Sequence, residues 1–323
     1  MTDSPPHADL PPVLAASRPM NDRLAAHAGR RFLSVEGARW GELILPAPDE
    51  TCTTAGGLRV VLFASFEYGY LALDAVKAYA ARFPGRITLA GLATDDAANA
   101  SARIGLKKRI WKYVDTDERV AMETAMAEAA LRAGAPAFTG EIKTEGFRRI
   151  LREDWRPDVI ISCVFGQVIG PKIIAMPTCG IYNFHPSDLL HGHGAGPAPD
   201  EDLDARGART TVWSIHQVSP EIDTGPVVAV SPPITVRDAQ GRLPENRLVL
   251  YDKLLEPVGA LAAGLTDALW RRHATGARGP LDRLDIAPAL PPDLAARMLE
   301  PVHAGAHDES LPAFDAAILE RYA

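Results

Sequence analysis

At 323 residues the chain is long enough for about two ordinary domains, or for one large domain with appendages. Its 47% hydrophobic and 23% charged residues are those of a soluble globular protein, with no apolar run near the ~20 residues of a membrane helix and no apolar centre of a secretion signal, so a cytoplasmic location is expected. A net charge of -7 argues against a nucleic-acid partner held mainly through phosphates, and three cysteines without a CxxC spacing support neither a disulfide framework nor a zinc site.

Residues 1–57 read as an amino-terminal extension. Its first twenty residues mix Pro, Ala, Ser and His without a period, as a loosely packed arm would. Gly41 to Leu45, followed by Pro46, Pro48 and Gly56-Gly57, suits an edge hairpin laid against the main domain. Leu58 to Ser65 is a run of strand formers apolar enough to be buried on both faces. Gly69 to Phe83 has the apolar spacing of an amphipathic helix, and Ile87 to Ala93 is a second apolar strand. Strand, helix and strand in this order predict a right-handed βαβ unit. Phe66-Glu67-Tyr68-Gly69 stands where a GxGxxG turn would be, so the glycine signature of a nicotinamide site is missing.

Ala100 to Lys112 is basic, either a solvated face or an anchor for an anionic substrate. Asp117 to Ala133 and Gly146 to Trp155 read as helices, and Pro157 to Val164 contains a third apolar strand. Phe165 to Gly170 then turns the chain at a strand's carboxyl end, where open α/β sheets gather their ligands. Gly180 to His185 is the next strand, followed by a Gly-rich loop and a helix over 198–206. Thr210 to His216 and Val227 to Val230 read as antiparallel strands joined by the Pro220 to Pro226 loop. From 241 onward the chain is a carboxy-terminal helix and extension. Leu248 to Trp270 predicts one long helix kinked at Pro257, its leucines forming core or the face of a homodimer. Short helices are expected at Pro292 to Leu299 and Phe314 to Tyr322. The fold class is therefore α/β: a Rossmann-like, open and mostly parallel sheet over residues 58–240 with helices on both faces, flanked by the amino-terminal arm and a small helical carboxy-terminal extension.

Alternation along the strand sends Asn183 and His185 to one face while Tyr182 and Phe184 point into the core. The later loop brings Asp223 back towards the same strand ends. An Asn amide and an imidazole can donate hydrogen bonds to a developing oxyanion, and a carboxylate can hold the imidazole or take a proton from an attacking amine. Such chemistry needs no protein nucleophile, in keeping with the absence of a GxSxG elbow. His185, His191, His193 and His216 lack a further ligand at a set spacing, so no metal is expected.

Asn183-Phe184-His185-Pro186-Ser187, then Gly194-Ala195-Gly196-Pro197, Ser214-Ile215-His216 and Asp223-Thr224-Gly225-Pro226 together resemble the folate-dependent formyltransferases. That family includes enzymes acting on glycinamide ribonucleotide, methionyl-tRNA, sugar amines and hydroxyornithine. The resemblance covers roughly residues 57–270 and implies transfer of a formyl group from 10-formyltetrahydrofolate to an amine or hydroxylamine of a small metabolite, of hydroxyornithine or amino-sugar type. It implies that Asn183 binds the formyl oxygen, that His185 stabilises the oxyanion and acts as general acid, and that Asp223 assists proton transfer. The pterin would sit between a loop carrying Val164, Phe165, Gly166 and Gln167 and another carrying Val218, Glu221 and Ile222. Ser187, His193 and Gly194 would face the acceptor. The chain has Ser187-Asp188-Leu189-Leu190 where many relatives read Ser-Leu-Leu-Pro, and His193 where an arginine often stands. A methionyl-tRNA formyltransferase, and a folate-binding or regulatory protein without turnover, are the alternatives carried forward.

Overall fold

The computed structural model describes residues 22–38, 40–50, 56–95, 116–196, 198–245 and 247–302. Its strands are β1 (Arg31–Ser34), β2 (Gly41–Leu45), β3 (Leu58–Ala64), β4 (Ile87–Thr94), β5 (Ala137–Gly140), β6 (Val159–Cys163), β7 (Ile181–His185), β8 (Thr210–Thr211), β9 (Ser214–Gln217), β10 (Val227–Val230) and β11 (Ile234–Thr235). The helices are α1 (Phe66–Arg82), α2 (Thr116–Arg132), α3 (Glu145–Arg149), α4 (Pro171–Ile174), α5 (Pro199–Ala205), α6 (Arg247–Leu255), α7 (Val258–Ala274) and α8 (Pro292–Leu299).

Among the described residues, nine strands join in one sheet of order β1-β2-β5-β4-β3-β6-β7-β9-β10. The five from β5 to β7 are mutually parallel, and the pairs at both edges are antiparallel. This is the Rossmann-like arrangement expected from the alternation of apolar strands and amphipathic helices. The chain winds from β3 towards β5, then returns beside β3 as β6 and continues to β7. The carboxyl ends of β3 and β6 are therefore a topological switch point, where such sheets form their ligand crevice.

Strand alternation supplies two cores. Leu62 packs on one face with Leu73 of α1, Leu131 of α2 and Leu265 of α7, while Phe63 packs on the other with Phe147 and Trp155. The second face explains a glycine within a strand: a Cβ at Gly91 would lie 2.4 Å from the Trp155 ring. The leucines of the long carboxy-terminal stretch are spent inside the chain, with Leu250, Leu261 and Leu265 all 0% exposed.

Three local expectations change. The stretch predicted as one helix from Leu248 to Trp270 is two, α6 and α7, because Pro257 has no N–H to continue the ladder; it breaks the helix rather than kinking it. Thr210 to His216 is not one strand: β8 pairs with β11 in a separate small sheet, and β9 begins only at Ser214. Between them Trp213 leaves the ladder to bury its ring edge-on to Tyr68 at 5.1 Å and donate from Nε1 to the Leu254 carbonyl at 3.0 Å. The helix predicted over Gly146 to Trp155 changes from α to π at Ile150 and stops at Arg156, whose φ is 44°. The Pro292–Leu299 helix is present as α8. The basic stretch from Ala100 to Lys112 and the helix expected at Phe314 to Tyr322 lie outside the described residues.

The amino-terminal extension enters the main sheet, since β2 pairs with β1 and with β5. Arg30 fastens it. This guanidinium, 0% exposed, donates through Nε to Glu50 at 3.0 Å and also pairs with Glu128 on α2.

Candidate active site

Register brings the site together. On β7, Asn183 stands opposite Ser162 of β6 and His216 of β9, so the three share one face of the sheet. Asn183 Nδ2 lies 3.1 Å from His216 Nε2. His216 Nδ1 is 3.0 Å from the Gln217 carbonyl, which can only accept; Nδ1 therefore carries a proton, and in the neutral ring Nε2 accepts from the Asn183 amide. One Asn183 N–H is used in this way and the other is left for a substrate oxygen.

His185, two residues further along β7, is 7% exposed. Its Nε2 is 3.2 Å from Asp223 Oδ2 and 3.2 Å from the Gly196 carbonyl, both acceptors, so Nε2 bears the hydrogen. Asp223 Oδ1 faces His216 Nε2 at 3.5 Å, and its Oδ2 accepts the Gly196 N–H at 2.9 Å. Asn183, His216, Asp223 and His185 thus form one continuous polar chain. Burial alone would raise the Asp223 carboxyl, but hydrogen bonds from the His185 imidazole and the Gly196 N–H reverse that effect and hold it well below the usual carboxylate range.

Asp223 is positioned by a tight turn. Its φ is 55°, a left-handed conformation that costs a non-glycine residue about 1–3 kcal/mol and persists only where the surroundings dictate it. Two features do so here. Gln217 N–H donates to the Pro226 carbonyl at 2.9 Å, and Gly225 lies so close to β9 that a Cβ there would be 1.8 Å from the Gln217 oxygen. Only glycine fits at that crossing.

Beside this chain opens a small cleft of about 80 Å³. Phe165, Gln167 and Val168 line one side, Val218, Glu221 and Ile222 the other, and Asn183 reaches its floor. Val164 and Gly166 shape the first wall from behind. Val164 has φ 50°, and Gly166 N–H is bound to the buried Asp95 carboxylate at 2.7 Å. The Gln167 side chain is only 8% exposed and is tied to Asp95 and to the Gly140 carbonyl, which leaves the backbone of this loop as its main polar resource for a ligand.

The three residues expected to face an acceptor are placed differently from one another. Ser187 is 1% exposed and lies behind His185, its Oγ 2.8 Å from His185 Nδ1 while donating to the Gly194 carbonyl at 3.1 Å. Gly194, at φ 64°, packs against Ser187, and His193 sits half-buried on the same loop. His216 and Asp95 received no role from the sequence. Strand alternation from Ser214 was a usable signal for the first. For the second the only signal was its position at the end of an apolar strand. Among the described residues no group of three or more His, Cys, Asp or Glu side chains is placed to hold a metal ion, and no helix is long and apolar enough to cross a membrane.

Residues 141–251, which contain the whole polar chain, match the model of the family described as formyl transferase. Among curated proteins, the methionyl-tRNA formyltransferase of Thermotoga maritima is 30% identical over 39% of this chain and 40% of its own length. That of Roseiflexus castenholzii is 30% identical over 48% of this chain and 50% of its own. The chain therefore spans half or less of the length of these relatives. Among solved structures, a phosphoribosylglycinamide formyltransferase from Bacillus halodurans superimposes with a TM-score of 0.47 at 20% identity, covering 65% of this chain and 95% of that one.

Proposed function

With residues 141–251 belonging to the formyl transferase family, we propose that the protein transfers a formyl group from 10-formyltetrahydrofolate to an amine. The observation that carries this reading is the polar chain from Asn183 through His216 and Asp223 to His185, its first three members lining a cleft at the strand ends. The donor supplies a formyl group activated on N10. Asn183 donates its free N–H to the formyl oxygen as negative charge develops there, and His185 adds the second electropositive group. Asp223 holds His185 and receives, directly or through water, the proton shed by the attacking amine. The carbon–N10 bond breaks as the new carbon–nitrogen bond completes, and N10 recovers a proton by way of His185. Ser187 acts as a support for His185 rather than as an acceptor contact.

Two acceptors have specific support. The curated relatives are named for methionyl-tRNA, and this favours the same acceptor here. A small amine-bearing metabolite, of hydroxyornithine or amino-sugar type, is favoured by the net charge of -7 and by α5, whose first turn follows the glycine loop with Asp200, Glu201 and Asp202. Those carboxylates would oppose a phosphate-rich acceptor near the site. The test is to follow tetrahydrofolate release with 10-formyltetrahydrofolate and either methionyl-tRNA or a panel of small amines. Turnover with the tRNA that falls steeply with salt selects the first acceptor. Turnover with one small amine and none with tRNA selects the second. Thermal protection by folate without transfer to any acceptor would make the protein a folate-binding one instead.

A further inference from the structure

At the carboxyl end of β4, beyond the polar chain described above, lies a carboxylate that is 0% exposed, Asp95. Its Oδ2 accepts the Ser65 hydroxyl at 2.8 Å and the Gly166 N–H at 2.7 Å, and its Oδ1 accepts the Gln167 side-chain amide at 3.2 Å. Ser65 follows β3 and Gly166 follows β6, so one acidic side chain joins the ends of three adjacent strands at the switch point. Gln167 extends the junction to a fourth strand, donating to the Gly140 carbonyl at 2.8 Å and accepting the Ile142 N–H at 3.2 Å.

Two of the few described non-glycine residues with positive φ lie within two positions of these partners. Phe66, at 60°, follows Ser65, and Val164, at 50°, precedes Gly166 by two. Neither a bulky aromatic nor a β-branched residue adopts that conformation unless its surroundings impose it. The bonds to Asp95 immediately flank both turns and are the local constraint that holds them. The Val164 turn delivers Phe165, Gln167 and Val168 to the cleft wall. A buried carboxylate serving only the packing of the sheet would have no reason to collect donors from this loop in particular.

We infer that Asp95 is a positioning residue for the donor side of the site, fixing the Val164–Gln167 loop in the shape that receives the pterin. The inference rests on the formyl-donor reading, since it assigns this wall to the donor. Asp95→Asn keeps the volume but turns an amide N–H towards Gly166 N–H or Gln167; Gln167→Met removes the side-chain bonds to Asp95, Gly140 and Ile142 while leaving Asp95 bound to Ser65 and Gly166, and guards against a first variant that fails to fold. In the folded variants the KM for 10-formyltetrahydrofolate, and the Kd for tetrahydrofolate, should rise about tenfold or more, because loop displacements of ~1 Å are costly to a preorganised site. The KM for the acceptor should stay within about twofold and kcat within about fivefold. A purely structural role would lower the folded fraction and so kcat, leaving the KM for the donor unchanged. Amide exchange at Gly166 provides a readout that needs no folate: in Asp95→Asn it should quicken about tenfold or more relative to strand amides of β6. Unchanged exchange at Gly166, or an unchanged donor KM in both folded variants, overturns the assignment of Asp95. A wild-type protein that binds no tetrahydrofolate overturns the donor reading instead.

Discussion

Replacing Asp223 by asparagine keeps the outline of the side chain and removes its charge. In the wild type the carboxylate takes Gly196 N–H at 2.9 Å and His185 Nε2 at 3.2 Å, and faces His216 Nε2 at 3.5 Å. Both the Gly196 N–H and His185 Nε2 lie on Oδ2, so an asparagine oxygen can keep both bonds, but neither is then made to a charged acceptor. A hydrogen bond to a charged group contributes about 1.5–3 kcal/mol against about 1 kcal/mol for a neutral pair, so neutralising the acceptor of both bonds removes about 2–3 kcal/mol of orientation, or roughly a hundredfold in turnover. The fold should survive, because the variant also escapes the cost of burying a charge. The assay is kcat for formyl transfer at saturating donor, with the far-ultraviolet spectrum as a control. The same variant tests the electrostatics. The folded Asp223 carboxyl is held below its ordinary range, so its stabilising contribution is fully present above about pH 4 and fades as the pH falls below that value towards the folded one. The wild type should therefore lose thermal stability below about pH 4 more steeply than Asp223→Asn. Turnover within threefold of wild type, or acid curves of the same slope, would refute the coupling described here.

Three further outcomes follow from neighbouring features. His216→Phe keeps a ring on β9 but removes the acceptor that holds the Asn183 amide, and should lower kcat about tenfold or more with little change in acceptor KM. Gly225→Ala drives a Cβ to 1.8 Å from the Gln217 oxygen; the Asp223 turn must shift, and soluble protein should retain less than about a hundredth of the wild-type kcat. Arg30→Met leaves the buried Glu50 carboxylate without its cation and Glu128 with Arg132 alone, which should cost about 3–5 kcal/mol and lower the thermal midpoint by about 10 °C, as read by calorimetry.

Much of this architecture is legible in the chain because local pattern and tertiary environment agree. The apolar runs at Leu58, Ile87 and Val159 can be satisfied only in a buried parallel sheet, and they form its centre. The two-residue period from Asn183 to His185 puts both side chains on one face of the strand. What escaped sequence reasoning depends on partners distant along the chain. Trp213 breaks a good strand pattern because its indole is buried against Tyr68 and donates to the Leu254 carbonyl instead of staying in the ladder. Asp95 looks like one of many acidic residues at a strand end until Ser65, Gly166 and Gln167 converge on it. Ser187 stands beside the site in sequence, yet its hydroxyl is turned to His185 and Gly194.

The proposed transfer of a formyl carbon from folate to nitrogen by these side chains is open to a direct test. Its most direct measurement is single-turnover transfer with 10-formyltetrahydrofolate labelled in the formyl carbon, comparing the wild type with Asn183→Ala and His185→Ala against both methionyl-tRNA and small amines. Label should appear on one acceptor with an equal yield of tetrahydrofolate, slowed about a hundredfold or more in each variant. Equal labelling rates in all three proteins, or no label on any amine despite bound folate, would contradict it.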